Sequence, residues 1–147
     1  MTFDLFNGEA ASQFKLSQWV PGWRFNVADL PLERGKFSDG DDWLLVGEFF
    51  SDEETSIILE RYKLLGIQYL FELDGEFILV VHSNKDQTVR LYRDRTGIYP
   101  IVYGKGEKGF AVSLWFDNVV SLAGIKAEPS RALLDHWPVY RVAIIPD

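Results

Sequence analysis

Few side chains in this sequence could carry chemistry. None of the 147 residues is cysteine, which removes disulfides, thiolate metal sites and cysteine nucleophiles together. His82 and His136 are the two histidines, and neither has a second histidine or a carboxylate at metal-ligand spacing, so both are interpreted as structural and no metal site is expected. Thr2 is a candidate nucleophile, since removal of Met1 would let its own α-amine activate its hydroxyl. Its neighbours supply no clear oxyanion hole, and an ordinary second residue is the simpler interpretation.

Composition narrows the class of protein. Lys and Arg total 15 against 22 Asp and Glu, and the net charge of -7 argues against binding to nucleic acid or to anionic membranes. The longest apolar runs, such as residues 77–81, are too short to span a bilayer, and no basic, apolar leader opens the chain, so we expect a cytoplasmic protein. With 47% hydrophobic residues, the chain is expected to form one globular domain over residues 1–147.

The clearest elements lie in the middle of the chain. Residues 43–47 are a short apolar run between turns and predict a buried strand. Ser51 and Glu54 stand at capping-box spacing, and residues 55–65 predict a helix that ends at Gly66. An antiparallel series of strands follows, predicted at residues 76–82, 88–93, 99–103 and 110–114, with turns at 83–87, 94–97 and 104–109.

The two ends of the chain are less regular. Before residue 43 the sequence predicts one short strand within residues 25–32, interrupted by Pro31, and a polar loop over residues 35–42. Towards the C-terminus it predicts helices at 117–122 and 130–135 and a last strand at 139–145. Strands and helices do not alternate one for one, which favours antiparallel hairpins with helices packed on the sheet faces, an α+β sandwich.

Residues 93–103 resemble a family signature. Their sequence, Arg-Asp-Arg-Thr-Gly-Ile-Tyr-Pro-Ile-Val-Tyr, resembles the Arg-Asp-x-x-Gly-x-x-Pro-Leu-Tyr-Tyr segment of the asparagine synthetase family. In that family the segment closes the N-terminal class II glutamine amidotransferase domain, which has the N-terminal-nucleophile (Ntn) hydrolase fold. Residues 45–50 and 73–77 resemble the family segments that precede it. The resemblance implies an αββα sandwich of two mainly antiparallel sheets with helices on the outer faces, compressed in its N-terminal half.

The departures from the family are chemical. The family's nucleophile is an N-terminal cysteine, and this chain has none. Val46 replaces the asparagine of the family's Asn-Gly-Glu segment, and valine cannot donate a hydrogen bond to an oxyanion. Residues 33–36 are at best a remnant of the Arg-Gly-Pro-Asp loop. β-Lactam synthetases and lasso-peptide cyclases share these losses, so the chain resembles their branch most and is expected to lack glutaminase activity.

The resemblance also implies which residues would belong to a ligand site. Gly47 and Glu48 complete the Asn-Gly-Glu pattern, and Glu54 matches the acidic residue that binds the glutamine amine, so these three are an expected remnant of the substrate site. The alternative is structural: Gly47 would permit a tight turn after a strand, Glu48 would be solvated, and Glu54 would be a carboxylate in the first turn of the helix.

The signature itself is interpreted as structural. We expect a charge-assisted pair between Arg93 and Asp94 to fix the strand-to-turn geometry, and Gly97 to lie where a side chain would not fit. Pro100 is expected to open the strand that follows.

The resemblance implies a partner. No Ser-Gly-Gly-x-Asp-Ser pyrophosphate loop occurs in the sequence, so the family's downstream adenylating synthetase domain is absent, and ATP and Mg²⁺ are expected only in that domain. We expect a degenerate amidotransferase-like domain that binds an adenylating synthetase domain in cis or in trans. Trp19, Trp23 and Trp137 are the tryptophans expected to be exposed and to mark the partner surface. Further candidate partners are a peptide or amino-acid substrate and a second copy of the chain.

Two alternatives remain open at this point. The chain could be a Thr2-dependent amidohydrolase, or a stand-alone regulatory domain that binds an amino acid. It could also be a piece of a longer ligase or a short paralogue.

Overall fold

Antiparallel strands make up most of the regular secondary structure. The computed structural model describes residues 1–8 and 14–126, and within them it forms nine strands and three helices. The strands are β1 (Thr2–Gly8), β2 (Ser17–Val20), β3 (Trp23–Ala28), β4 (Leu32–Lys36), β5 (Asp42–Phe49), β6 (Gly75–His82), β7 (Val89–Arg93), β8 (Val102–Gly106) and β9 (Gly109–Ser113). The helices are α1 (Thr55–Leu65), α2 (Ile67–Glu72) and α3 (Phe116–Ala123).

The strands form two sheets that lie face to face. One sheet has the order β2-β3-β1-β9-β8 and the other β4-β5-β6-β7, and every pairing is antiparallel. Alternation along β5 explains the layers, because Leu44 and Val46 pack with Phe3 and Leu5 of the five-stranded sheet. Leu45, between them in sequence, packs towards the helices. A shared apolar core therefore fills the space between the sheets.

Helices cover the two outer faces. Ile58 and Leu59 of α1 are buried against the four-stranded sheet, as is Leu70 of α2. Val119 and Leu122 of α3 are buried against the five-stranded sheet. The predicted α+β sandwich is confirmed, and its layers are consistent with an Ntn-hydrolase-like fold.

The N-terminal part holds more strands than the sequence predicts. One strand was expected before residue 43, but β1 to β4 all lie there. Pro31 does not interrupt a strand; it precedes β4, and the expected loop at 35–42 includes the end of β4 and the start of β5. β4 is an edge strand with mostly exposed residues, so it carries no apolar pattern that could reveal it.

The capping box predicted before α1 is wrong. The helix spans the predicted residues 55–65, but Glu54 is its N-cap residue and makes no side-chain capping bond. The hydroxyl of Ser51 instead accepts a hydrogen bond from the backbone N–H of Glu53 at 3.1 Å. Glu54 is therefore neither the third residue of a capping box nor a carboxylate of the first helical turn.

After α1, the observed boundaries of strands and helices agree more closely with the predicted ones. The predicted strands at 76–82 and 88–93 correspond to β6 and β7, and the helix at 117–122 to α3. The strand expected at 99–103 is shifted, because β8 starts at Val102 and continues through Gly104 and Gly106. These glycines lie under α3 and the residues after it, since a Cβ on Gly106 would be 2.3 Å from the carbonyl oxygen of Ala123. Pro100 therefore lies before the strand rather than opening it.

Several expectations lie outside the described residues. These are the helix at 130–135, the strand at 139–145, and the positions of His136 and Trp137. In the part of the chain that the structure describes, every helix falls short of the length and apolar character that a membrane crossing requires.

Candidate functional site

The space between the sheets opens at the end where β1 begins. A pocket of about 220 Å³ lies there, and we refer to it as the cleft mouth. Its walls come from the starts of β1 and β6, from the segment before β8 and from the residues after β9. The residues that line it include Met1, Glu76, Ile98, Tyr99, Pro100 and Trp115. The cleft mouth thus draws on both sheets.

Two glutamates are paired across the four-stranded sheet beside this pocket. Glu48 of β5 lies directly opposite Glu76 of β6 in the antiparallel ladder, so their side chains stand on the same face. The preceding residue on that face of β5 is Val46 and the next one on β6 is Ile78, and both pack into the core between the sheets. Like charges in this arrangement repel each other, and a cationic group bound between them would relieve the repulsion.

The negative charge of these glutamates affects the pKa of Tyr99. Burial, followed by the charges of Glu76, Asp94 and Glu48, raises the pKa of Tyr99 above its ordinary value. The phenol therefore stays protonated at neutral pH and is available as a hydrogen-bond donor. Glu76 and Tyr99 line the cleft mouth, and Glu48 lies opposite Glu76 on the neighbouring strand. Carboxylates beside a protonated phenol suit binding of a primary amine better than nucleophilic chemistry.

A tight turn supports one wall of the cleft mouth. The buried Asp94 carboxylate accepts hydrogen bonds from the hydroxyl of Thr96 and, at 2.7 Å, from the backbone N–H of Gly97. Burial opposes ionisation of this carboxyl, but the hydrogen bonds from Thr96, Gly97 and Ile98 outweigh it and hold the pKa of Asp94 below its ordinary value. The turn leads directly into residues 98–100, which line the pocket.

The pair predicted between Arg93 and Asp94 is wrong, since no ion pair joins them among residues 1–8 and 14–126. The guanidinium of Arg93 instead lies against Gly97, where a Cβ would be 3.2 Å from its Cζ. Gly97 has a left-handed φ of 65°, so glycine suits the position in both conformation and space. Asp94 alone ties the turn together.

Trp115 forms the rim of the cleft mouth. Its side chain is 56% exposed, and its indole N–H donates a hydrogen bond to the carbonyl of Met1 at 3.2 Å. Its backbone N–H donates to the hydroxyl of Ser113, which in turn donates to the buried carboxylate of Asp4 at 2.7 Å. Asn118 of α3 donates to the same Asp4 oxygen at 2.9 Å. This buried network holds the exposed indole in a defined position.

Thr2 lies on the other side of the sheet from the cleft. Phe3 and Leu5 pack between the sheets, whereas Asp4 and Phe6 contact α3 on the outer face. By strand alternation Thr2 shares the outer face with Asp4 and Phe6. Met1, which precedes β1, is the residue that lines the cleft mouth at this point.

The predicted ligand residues separate into two places. Glu48 adjoins the cleft mouth through Glu76, while both Glu48 and Glu54 line a second depression of about 450 Å³ on the α1 side, together with Glu33 and Thr55. Glu33 is already engaged there, since it accepts a hydrogen bond from the Thr55 hydroxyl at 3.0 Å. Within the described ranges, no three His, Asp or Glu residues converge in a way that could hold a metal ion.

Gly47 has a structural role that differs from the predicted one. β5 continues to Phe49, so Gly47 lies inside the strand and not in a turn after it. Its φ is 87°, and a Cβ would be 1.9 Å from the carbonyl oxygen of Glu76. Gly47 lets β5 approach β6 closely just before the Glu48–Glu76 pair.

The sequence patterns did not indicate a site role for Glu76, Tyr99 or Trp115. The expected exposure of Trp19 and Trp23 is wrong, because both are partly buried against the core between the sheets. A signal existed for Glu76: it follows Gly75 at the start of an apolar strand, as Glu48 follows Gly47 near the end of another. The register that brings them together is not readable from either segment alone.

Comparisons with known proteins agree with this architecture. Residues 44–146 match a family model described as a glutamine amidotransferase domain. A stretch of 64 residues, 44% of this chain, is 33% identical to a Methanocaldococcus jannaschii protein named as a glutamine-hydrolysing asparagine synthetase. That stretch covers 11% of the M. jannaschii protein, so the chain spans a small part of this relative. No solved structure matches the chain.

Proposed function

Because the chain belongs to the glutamine amidotransferase domain family, we propose that it is a catalytically silent form of that domain. Its role would be to bind an adenylating synthetase domain and to help shape that partner's site. The observation that carries this proposal is the cleft mouth: Met1, just before β1, lines it, and no thiol is available anywhere in the sequence.

Loss of the chemistry is the first support for the proposal. Glutamine hydrolysis in this family, as the resemblance implies, uses a thiolate nucleophile and an asparagine donor at the oxyanion hole. Val46 stands at the donor position and is fully buried in the apolar core. Loss of one oxyanion donor typically lowers a rate by ~10²–10³, and here the nucleophile is missing as well.

Exposed apolar side chains around the cleft mouth are the second support. Ile98 and Trp115 line the pocket and are 50% and 56% exposed, and Phe116, which follows Trp115 in the chain, is 62% exposed. Rigid aromatic side chains of this kind are the usual anchors of protein interfaces. The Asp4–Ser113 network holds Trp115 in place before any partner arrives, which lowers the entropic cost of binding.

The relative supports the proposed kind of partner. The M. jannaschii protein is named as an asparagine synthetase and is far longer than the matched stretch, which fits a small domain that works beside a larger one. We propose an ATP-dependent amide ligase of the cysteine-less branch, with the adenylating domain supplied in cis or in trans. ATP and Mg²⁺ would bind to that domain, and a cytoplasmic location would supply ATP.

The first test measures ammonia. The purified chain is incubated with glutamine, and ammonia is measured for the wild type and for Thr2→Ala. We expect neither protein to release ammonia above the uncatalysed background, because no thiol is present and Thr2 lies on the outer sheet face.

Ammonia release that depends on Thr2 would contradict the proposal and support the alternative amidohydrolase. Glutamine also serves as a control ligand in the same samples. A rise in melting temperature without ammonia would favour the amino-acid-binding alternative, which the Glu48–Glu76 pair makes chemically reasonable. A ligand present at 100 times its dissociation constant stabilises the folded protein by about 2.7 kcal/mol.

The second test measures docking. An adenylating synthetase domain from the same genome is titrated with the chain by calorimetry, using the wild type, Trp115→Ala and Leu64→Ala. We expect Trp115→Ala to weaken binding about 30-fold, the cost of about 2 kcal/mol typical of an aromatic anchor. Leu64 is 84% exposed on α1, which covers the other sheet, so Leu64→Ala should leave the affinity unchanged. Equal losses in both variants would mean that the cleft mouth is not the docking surface.

A further inference from the structure

The helix α1 carries apolar side chains on a second face, besides the face that it buries. Ile58, Leu59 and Tyr62 pack against the four-stranded sheet. Elsewhere on the helix, Ile57 is 47% exposed and Leu64 is 84% exposed, the largest exposure of any large apolar side chain that the structure describes. A helix that is apolar on more than one face is usually covered on each of them, so this second face suits an interface.

Ile57 and Leu64 border one shallow depression on the outer side of α1. Its volume is about 310 Å³, and Ser56, Glu60 and Arg61 complete its lining. We call these residues the α1 patch. The patch thus offers both an exposed leucine and a depression that an identical leucine could enter.

The spacing along α1 suits pairing of the patch with itself. Ile57 and Leu64 lie about two helical turns apart. If two copies of α1 packed antiparallel about a two-fold axis, Leu64 of each copy would lie against Ile57 of the other. One arrangement would therefore cover both apolar side chains of both copies.

The charged side chains of the α1 patch already have partners within the chain. The guanidinium of Arg61 donates two hydrogen bonds to the carboxylate of Glu53, at 2.6 and 2.8 Å. The carboxylate of Glu60 accepts hydrogen bonds from the backbone N–H and the hydroxyl of Ser38, at 2.6 and 2.9 Å. Neither Glu60 nor Arg61 therefore requires an oppositely charged group from a partner.

The charge of the lining favours a second copy of the chain as the partner. A two-fold interface brings the same surface of both copies together, so a surplus of one charge would face itself and repel. The whole chain has a net charge of -7, which makes such repulsion the general obstacle to its self-association. The lining of the depression holds one carboxylate, Glu60, and one guanidinium, Arg61, so it has no such surplus.

We infer that two copies of the chain associate through the α1 patch, with the two helices antiparallel and Leu64 of each copy in the depression of the other. The cleft mouth lies between the sheets, whereas α1 covers the outer face of the four-stranded sheet. Association through α1 therefore leaves the cleft mouth open, and the inference is independent of the proposed function.

Sedimentation equilibrium of the purified 147-residue chain tests the inference. We expect the mass to rise from one chain towards two as the concentration increases to about 1 mM, because an interface of one helix from each copy is small. Leu64→Glu should weaken the dimer about 30-fold or more, since a carboxylate would replace the apolar side chain that enters the depression. Ile98→Glu is the matched control: it adds the same charge at a half-exposed apolar residue of the cleft mouth and should leave the dimer unchanged.

A double variant tests the antiparallel arrangement. Ile57→Lys combined with Leu64→Glu should associate about 10-fold more tightly than Leu64→Glu alone, because each glutamate would meet the lysine of the other copy. Circular dichroism checks that every variant is folded.

Three results would overturn the inference. The first is a chain that stays monomeric up to about 1 mM. The second is a dimer that Leu64→Glu leaves intact or that Ile98→Glu weakens equally, because association would then use another surface. The third is a double variant that associates no more tightly than Leu64→Glu, since the two side chains would then not meet across the interface.

Discussion

Replacing Gly47 by alanine is expected to destabilise the protein by about 4 kcal/mol or more, enough to leave a marginal domain largely unfolded. Gly47 has a φ of 87°, a conformation that costs an alanine about 1–2 kcal/mol by itself. The larger part of the cost is steric, because the new Cβ would be 1.9 Å from the carbonyl oxygen of Glu76. That oxygen belongs to the backbone of β6, which the paired β5 and β7 hold in place.

Gly40→Ala provides a matched control. Gly40 has nearly the same φ, 91°, but nothing lies within 4 Å of its Cβ position. It should therefore suffer the conformational cost alone, about 1 kcal/mol, which lowers the melting temperature by about 3 °C in a domain of this size. Thermal and urea unfolding of both variants measure the difference. Similar losses in the two variants would show that the close approach of β5 to β6 is not what requires glycine.

Replacing Asp94 by alanine is expected to cost about 3 kcal/mol of stability. The Asp94 carboxylate is 3% exposed and accepts hydrogen bonds from Thr96 and Gly97. Alanine would leave those donors without their charged partner and would loosen the turn that carries residues 98–100 into the cleft mouth. Urea unfolding at neutral pH measures the loss, and Thr96→Val, which removes one of the donors, should cost about 1 kcal/mol.

The same carboxylate predicts a pH dependence. Because the pKa of Asp94 is lowered in the folded protein, its contribution is fully present above its unfolded pKa of about 3.9 and is lost as the pH falls through the folded pKa. Asp94→Asn removes this titration. The stability difference between the wild type and Asp94→Asn should therefore narrow as the pH is lowered below about 4. If the stability difference between the wild type and Asp94→Asn stayed constant below about pH 4, the lowered pKa of Asp94 would be contradicted.

Sequence patterns revealed the elements whose burial follows a regular period. α1 has Ile58 and Tyr62 one turn apart on its buried face, and β6 is a continuous apolar run, so both were predictable within a residue or two. β4 was not, because an edge strand with a solvated face needs no apolar alternation. β1 was not predicted because Asp4 interrupts its apolar residues. The hydrogen bonds from Asn26, Ser113 and Asn118 explain the buried charge there.

The candidate site was harder to predict than the fold. Asp94 and Gly97, which support one wall of the site, lie within one short turn, and the local sequence is enough to predict such a turn. The cleft mouth instead joins Met1, Glu76 and Trp115, which come from three distant segments. Strand register brings these residues together, and register depends on pairing partners that a single segment does not specify.

The order of strands in the five-stranded sheet has a consequence for synthesis. β1, which is synthesised before the other described strands, is central and needs β9 on one side, and the contact between Asp4 and Ser113 spans 109 positions of the chain. The other sheet uses neighbours that follow one another, β4 to β7, and could assemble while translation continues. A nascent chain would thus hold β1, β2 and β3 together with one edge of β1 unpaired until β9 is made. Ribosome stalling before residue 109 should yield a chain that chaperones retain.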